Sequence, residues 1–349
     1  MLKHVLSVLV VLIIIIGSWI GYLFWSAGQF KTIKPHFAGE CKQVTGVIGA
    51  EDITIHPKSG IAYISACDRR AVNAGKPGRG GIYAYDLKAV DPILVNLTPD
   101  AGQDFQPHGI SLYVDDGGQD ALFVVNHEGG EHLIEIYDIN NERLSHRKTL
   151  SDPMLVSPND LVAVGPDKVY ISNDHHYASG FLRSLEDYLK LRMSTVIYYD
   201  GSRFVKAASG IGYANGINAG SDGRTIYLAA VTELSLHIYD RQTATGKLVL
   251  KEKIKLGTGA DNIEIDKEGG LWIGAHPKLL TFVQHAKDGS KISPSQVLNL
   301  TPRTGVGFNI EEVYLNRGEE ISASSVAAVH NNRMLIGGVF DAKFLDCQR

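Results

Sequence analysis

The chain has 349 residues, of which 44% are hydrophobic and 21% are charged, and this composition is typical of an ordered globular protein. The formal net charge is −4 at pH 7, and no basic cluster occurs, which argues against a protein that binds the phosphate backbone of nucleic acids. A weakly acidic chain with carboxylates at repeated positions is more compatible with a bound cation.

The N-terminal segment differs in character from the rest. Residues 5–25 form an uncharged run of 21 residues rich in Val, Ile and Leu. At about 1.5 Å per residue, such a helix spans roughly 30 Å. Lys3 precedes the run, and aromatic residues typical of a membrane interface lie near its far end. We predict an uncleaved, single-pass transmembrane anchor over residues 1–25, which places the rest of the chain outside the cytoplasm, in the periplasm or extracellular space. A cleaved signal peptide, and hence a secreted protein, is the alternative.

Residues 26–40 lack periodicity and are interpreted as a linker, and residues 41–349 as one domain. In that domain, six similar segments each begin with a polar head, continue as an apolar strand and return through a hairpin rich in Gly or Asp. They start at Glu51, His108, Asn159, Asn215, Asp261 and Ser324, so successive starts are 57, 51, 56, 46 and 63 residues apart. Further strands lie between the heads. The pattern predicts an all-β fold, a six-bladed β-propeller with about four strands per blade, closed by the N- and C-terminal strands.

One segment, residues 179–193, breaks the strand pattern. Its apolar residues have helical spacing, and Ser179 or Ser184 could cap its start. We expect a helix over one face of the ring, either as a lid or membrane-facing wall or as a plain crossover.

The three cysteines fit an exported chain. Cys41 lies at the start of the predicted ring and Cys347 at its end, so a disulfide between them would close the ring in an oxidising compartment. The alternative is two unrelated free cysteines. Cys67 is expected to be a buried thiol.

The heads of the repeats carry oxygen-bearing side chains. Strands that begin at one end of a propeller converge on its central channel, so heads distant in sequence become neighbours. Carboxylate and amide oxygens together favour calcium over zinc or magnesium. Since neighbouring strand residues point in opposite directions, adjacent pairs could serve two stacked sites. The alternative is that each residue simply starts a strand. The residues are Glu51, Asp52, Asn159, Asp160, Asn215, Asp261 and Asn262.

Two histidines bracket the hairpin of the second repeat. Because the ends of an antiparallel pair lie side by side, His108 and His127 could form a dyad, and an imidazole suits a general base acting on water. Asp174 could orient one of them, and His276 could face the same mouth. The alternative for each histidine is a satisfied core residue.

These residues lie in strings that resemble the paraoxonase/arylesterase family of calcium-dependent lactonases, which are six-bladed propellers. The strings are "AEDITIHP", "PHGISLY", "VVNH", "PNDLVAVGPDKVYISNDH", "YANGIN", "DNIEID" and "GAHP", followed by a Cys near the C-terminus. They occur in family order between Cys41 and Cys347. Two departures are visible: His176 intervenes before Tyr177, and Ala275 stands where some relatives carry a free Cys.

The resemblance implies two calcium ions. The catalytic ion would be held by Glu51, Asn159, Asn215, Asp261 and Asn262. The structural ion would be held by Asp52, Asp160 and the backbone carbonyl of Ile110. It also implies a catalytic dyad of His108 and His127, with Asp174 as the nearby acid, and a disulfide between Cys41 and Cys347.

The expected function is calcium-dependent hydrolysis of small-molecule lactones and aryl esters. Two alternatives remain: a sugar lactonase resembling gluconolactonase or regucalcin, and a non-catalytic propeller in which calcium is structural and the ring binds a partner.

Overall fold

The computed structural model describes residues 1–115, 117–140, 143–303 and 307–349. Within these ranges, 24 strands form six four-stranded antiparallel sheets, which are the blades of the predicted propeller. Neighbouring strands within each blade are antiparallel. The predicted fold class is confirmed.

The strands of blades 1 to 3 follow the closing strand β1 (Glu40–Thr45). They are β2 Ala50–Ile55, β3 Ile61–Ala66, β4 Gly81–Asp86, β5 Leu94–Asn96, β6 Pro107–Tyr113, β7 Ala121–Asn126, β8 Leu133–Asn140, β9 Arg143–Leu150, β10 Pro158–Gly165, β11 Lys168–Asn173, β12 Ser194–Tyr199 and β13 Phe204–Ile211. The remaining strands are β14 Ala214–Ala219, β15 Thr225–Ala230, β16 Ser235–Arg241, β17 Leu248–Lys255, β18 Gly259–Ile265, β19 Leu271–His276, β20 Ser295–Pro302, β21 Phe308–Asn316, β22 Ser324–His330, β23 Arg333–Gly338 and β24 Lys343–Gln348.

Blades 1 to 5 each use four consecutive strands, from β2–β5 to β18–β21, and the sixth combines β22–β24 with β1. In that blade β1 pairs with β24 so that Cys41 lies directly opposite Cys347, and the two form a disulfide across 306 residues of sequence. The predicted ring closure is therefore confirmed. Cys67 is a buried free thiol, as expected.

Burial falls from the axis to the rim. The inner strands β2 and β3 are buried along almost their whole length, whereas the outermost strands β9 and β17 alternate exposed and partly buried residues. Apolar side chains pack between neighbouring blades; Ile53 of blade 1, for example, lies in one cluster with Val326 of blade 6. Each such fully buried side chain contributes roughly 1.5–3 kcal/mol. This packing holds the inner strands rigidly around the channel.

The inner strand of every blade carries a β-bulge or irregularity near its start. The shifts in register lie between Ala50 and Asp52 in blade 1 and between Pro107 and Ile110 in blade 2, with equivalents in the other four blades. A bulge bends the strand and re-aims side chains, so strict alternation is lost at this point. Adjacent head residues such as Asp261 and Asn262 are consequently both buried.

The short helices follow the second strands of three blades, at the end of the ring where the heads lie. They are α2 Arg69–Asn73, α3 Gly180–Tyr188 and α4 Leu279–Lys287, and α1 is the N-terminal helix Leu2–Ser26. The predicted helix in blade 3 is confirmed, with Ser179 at its N-cap, but it ends at Tyr188 because Lys190 adopts a φ of 52°. A left-handed residue does not continue an α-helix.

Helix α1 is almost entirely exposed and, with a mean hydropathy of 2.6 over its 18-residue window, is long and apolar enough to cross a membrane. Its C-terminal part contacts the same end of the ring. The indole nitrogen of Trp19 donates to the carbonyl of Tyr188 at 3.1 Å, and the amide of Leu279 donates to the carbonyl of Ala27 at 2.9 Å. The following segment pairs His36 with Leu315 on the outer strand of blade 5.

Candidate active site and metal centre

The oxygen-bearing heads of four inner strands, β2, β10, β14 and β18, converge at one end of the channel. The neighbouring heads touch through glycines with no room for a side chain. A Cβ on Gly109 would lie 2.5 Å from the Cα of Asp160, and one on Gly216 would lie 2.3 Å from the carbonyl oxygen of Asp261. The two glycines therefore permit the close approach that brings the heads together.

The heads leave four buried oxygens unsatisfied. The side-chain amide of Asn262 donates to Glu51 Oε1 at 3.0 Å, and His276 Nε2 donates to Asp261 Oδ2 at 2.8 Å. Among the described residues, no hydrogen-bond partner exists for four further oxygens: Glu51 Oε2, Asn159 Oδ1, Asn215 Oδ1 and Asn262 Oδ1. Leaving a buried acceptor unpaired is costly, and a cation would satisfy all four.

The chemistry of this donor set is specific. Within the described ranges, no group of three or more His, Cys, Asp and Glu residues is arranged to hold a metal ion, so the candidate site depends on its three amides. Neutral amide oxygens combined with carboxylates suit calcium, a hard cation with many oxygen ligands. The residues that the sequence assigned to the first ion thus fit that ion.

Asp52 and Asp160 make a second layer. Each carboxylate accepts two backbone N–H groups, one from the following residue and one from the next blade: Ile110 at 2.7 Å for Asp52 and Ile217 at 2.8 Å for Asp160. These bonds link blade 1 to blade 2 and blade 3 to blade 4. Ile110, predicted to contribute its carbonyl, therefore lies beside Asp52.

Burial raises the pKa values of the axial carboxyl groups. It raises the pKa of Glu51 to about 8, although the charge of Arg69 opposes this rise. It raises the pKa of Asp52 to about 7, although the hydrogen bonds from the N–H groups of Ile110 and Ile53 oppose it. Burial also raises the pKa values of Asp160 and of Glu264, a channel residue that sequence reasoning missed. The axis concentrates acidic groups that a bound cation would stabilise in their charged form.

His108 and His127 form the predicted pair. His108 Nδ1 lies 3.0 Å from His127 Nε2, while His108 Nε2 faces the metal candidate site, 3.7 Å from Glu51 Oε2. Burial, then the charge of Arg69, holds the pKa of His108 well below its usual value, and burial lowers that of His127 to about 3. Both rings are neutral at pH 7, which leaves a base available.

Two further residues near the pair, His132 and Arg69, were not predicted from the sequence. His127 Nδ1 lies 2.8 Å from Nδ1 of His132, across the β7–β8 hairpin. Arg69, the first residue of α2, lies 3.9 Å from Glu51 Oε2 and donates to the carbonyls of Gly49 and Pro107. The signals were present as the His that follows "HEGGE" and as the Arg pair that follows "CD" at Cys67, but only folding brings these residues to the mouth.

Asp174 lies near the pair, and none of the contacts described for its carboxylate is with either ring. Those contacts are with Ser157, with His175 at 2.7 Å and with Arg183 at 3.4 Å. That Asp174 orients one of the two histidines therefore stays a prediction. It acts on His127 through space, since its charge raises the pKa of that ring against the larger effect of burial.

The two remaining histidines take different positions. His276 is buried, bonds Asp261 and stacks on Phe282 with ring centroids 4.1 Å apart. His176 is exposed, and its backbone N–H donates to Glu186 of α3. His276 thus supports the oxygen cluster, while His176 lies outside it.

The fold and the site together define a six-bladed β-propeller with a candidate metal centre on its axis and a histidine pair at the mouth. Solved structures share the fold. A gluconolactonase from Xanthomonas campestris aligns with a TM-score of 0.54 at 12% identity, covering 91% of this chain and 95% of its own. The calcium-binding protein regucalcin from Agrobacterium tumefaciens aligns with a TM-score of 0.52 at 15% identity, covering 89% and 93%.

Sequence comparison is more specific. The chain belongs to the Arylesterase family, which matches residues 31–348. It is 35% identical to serum paraoxonase/arylesterase 2 of Rattus norvegicus over 312 residues, 86% of each chain. It is 33% identical to serum paraoxonase/arylesterase 1 of Homo sapiens over 330 residues, 91% of each chain.

Proposed function

We propose that this protein is a calcium-dependent hydrolase of lactones and aryl esters. The observation that carries the proposal is the set of four buried, unpartnered oxygens from four blades, next to the free Nε2 of a neutral His108. The names of the paraoxonase/arylesterase relatives support an esterase or lactonase activity.

Two sets of residues would hold calcium. The first is Glu51, Asn159, Asn215, Asp261 and Asn262, and the second is Asp52, Asp160 and the carbonyl of Ile110. When bound, the first ion would supply Lewis-acid polarisation of the substrate carbonyl. The bond from His276 to Asp261 and the bond from Asn262 to Glu51 hold these side chains in place.

The histidines supply the base. His108 Nε2 takes a proton from water, whose oxygen attacks the ester or lactone carbonyl, and the proton is later returned to the departing alcohol oxygen. His127 accepts a hydrogen bond from His108 Nδ1–H, which holds the ring in the tautomer that exposes the Nε2 lone pair. Arg69 and burial keep His108 unprotonated at neutral pH.

The proposed substrate class is aliphatic and aryl lactones. The names of the paraoxonase/arylesterase relatives support it. Phe282, which stacks on His276, supplies an aromatic ring beside the oxygen cluster.

Helix α1 anchors the enzyme in this proposal. It is long and apolar enough to span the bilayer, and the disulfide indicates an oxidising compartment for the propeller. The catalytic domain then lies outside the cytoplasm, with its mouth at the end of the ring that contacts α1.

The test is hydrolysis of aliphatic, aryl and sugar lactones by the full chain in detergent, with calcium and with a chelator. We expect turnover of aliphatic and aryl lactones that chelation abolishes and calcium restores. Preference for sugar lactones would support the gluconolactonase-like alternative. Calcium binding without turnover of any ester would support a non-catalytic propeller and refute the proposal.

A further inference from the structure

The histidine pair extends to a third ring. Asn126 pairs with Leu133 across the β7–β8 hairpin, so the next positions, His127 and His132, face each other. The turn between them contains Gly129 and Gly130, with φ values of 62° and 83° that favour glycine. The short glycine turn thus folds His132 back onto His127, at 2.8 Å between the Nδ1 atoms.

One assignment of protons gives the hydrogen bonds of the three rings a single direction. The carbonyl of Val156 raises the pKa of His132 as a hydrogen-bond acceptor, so this assignment places the N–H of that ring on Nε2 and leaves Nδ1, which faces His127, as an acceptor. His127 then donates from Nδ1 to His132 and accepts at Nε2 from His108 Nδ1. The free lone pair of the chain is His108 Nε2, which faces the oxygen cluster.

The charges around the outer rings bear on where a proton can rest. The Asp174 carboxylate opposes the effect of burial on the pKa values of His127 and His132, although its partner Arg183 offsets part of this. His132 is partly exposed, so water can solvate a positive charge on its ring.

We propose that His132 is the outer member of a three-histidine proton relay, His108–His127–His132, that stores the proton of the attacking water between the two halves of ester hydrolysis. The inference rests on the proposed hydrolase function. Water gives its proton to His108 Nε2, the Nδ1 proton of His108 moves to His127 Nε2, and the Nδ1 proton of His127 moves to His132 Nδ1. His132 becomes an imidazolium. The three protons return in reverse order when the alkoxide leaves.

The kinetic test compares single and double variants in the full chain with calcium. His132→Gln is expected to lower kcat for a lactone about tenfold with KM unchanged, since the base retains its position but loses the relay. The double variant His127→Gln/His132→Gln should be no slower than His127→Gln alone, because both act in series. Imidazole should restore part of the kcat of His132→Ala. His330→Gln, in the β22–β23 hairpin, is the matched control and should retain wild-type kcat.

The structural test is nitrogen NMR of histidine-labelled protein, which does not depend on turnover. We expect N–H at Nδ1 of His108, at Nδ1 of His127 and at Nε2 of His132. In His132→Gln we expect His127 to lose its preference for the tautomer with N–H at Nδ1. A wild-type enzyme that hydrolyses lactones while His132→Gln keeps full kcat would overturn the relay alone. An inactive wild-type enzyme would overturn the hydrolase and the relay with it, and a different tautomer set would refute the direction of transfer.

Discussion

At the scale of single residues, neighbouring polar side chains have different roles, one in catalysis and one in stability. His108 contributes a lone pair directed at the oxygen cluster, while its other nitrogen is bonded to His127. Asp160 instead accepts two backbone N–H groups and joins blades 3 and 4. Substitution should therefore separate catalysis from stability at these two positions.

His108→Gln should lower kcat for lactones by about 10²–10⁴, the usual range for loss of a general base. The side chain is partly exposed and its hydrogen bond, to His127, lies within blade 2, so thermal stability and calcium binding should stay at wild-type levels. Turnover, thermal melts and calcium titration would be measured on the same preparation. Loss of folding in parallel with activity would contradict the assigned role.

Asp160→Ala should act first on stability. It removes the acceptor of the Leu161 and Ile217 N–H groups and leaves both donors buried, at a cost of about 2–4 kcal/mol. Chemical unfolding in the presence of calcium would measure the change. Asp200→Ala, at an exposed turn, is the control, and an equal effect of both substitutions would argue against the role of Asp160.

Which site residues could be predicted from the sequence depended on whether their side chains alone suggest a role. Glu51 and Asn159 could be selected from sequence because oxygen donors at repeated heads point to one channel. His132 and Arg69 could not, because their relevance arises from a hairpin turn and from the start of a short helix. Asp174 could be selected from its place in the string "SNDHH", but its contact with Arg183 depends on where α3 lies.

At the scale of elements, the start of each inner strand matters most. The repeat predicted the strands and their number, since strand and hairpin patterns are local. It did not predict the bulges, such as the one between Ala260 and Ile263, and the division of adjacent head residues between two sites stays a prediction. The helix in blade 3 was predicted for the same local reason, and its end was misplaced because Lys190 turns into the left-handed region.

The pairing of β1 with β24 can be tested by removing the disulfide that joins the two strands and measuring the free energy of unfolding. Cys347→Ser should destabilise the propeller by about 2–5 kcal/mol, because the disulfide closes a loop of 306 residues and restricts the unfolded chain. Unfolding with and without reductant would show it. Cys67→Ser is the control for thiol loss, and a variant at Cys347 as stable as wild type would show that strand pairing alone holds the ring.

At the scale of the whole molecule, the axial acids couple folding to calcium. Burial raises the folded pKa of Glu51 to about 8, above its usual 4.5, and that of Asp52 to about 7, above 3.8. Without a cation, the folded state holds protons more tightly than the unfolded state. Stability is then greatest below the unfolded pKa values and falls as pH rises through the folded ones.

We therefore expect different pH profiles with and without calcium. In chelator, stability should fall from pH 5 to pH 8, by about 1.4 kcal/mol for each unit by which one pKa is raised. In saturating calcium it should stay nearly level over the same interval, because the calcium-bound folded state and the unfolded chain both hold these carboxyl groups deprotonated there. Melting temperatures at both pH values would test this, and parallel profiles would contradict an axial calcium site.

Ring closure also imposes an order on biosynthesis. Strand β1 is among the first parts of the propeller to be made, yet its partner β24 follows roughly 300 residues later in the chain. At about 5–20 residues per second, β1 waits for tens of seconds or less with an unpaired edge. Blades 1 to 5 can form in succession during this time, whereas blade 6 and its disulfide form only after β24 emerges. Oxidation of Cys41 and Cys347 is thus the natural marker of a completed ring.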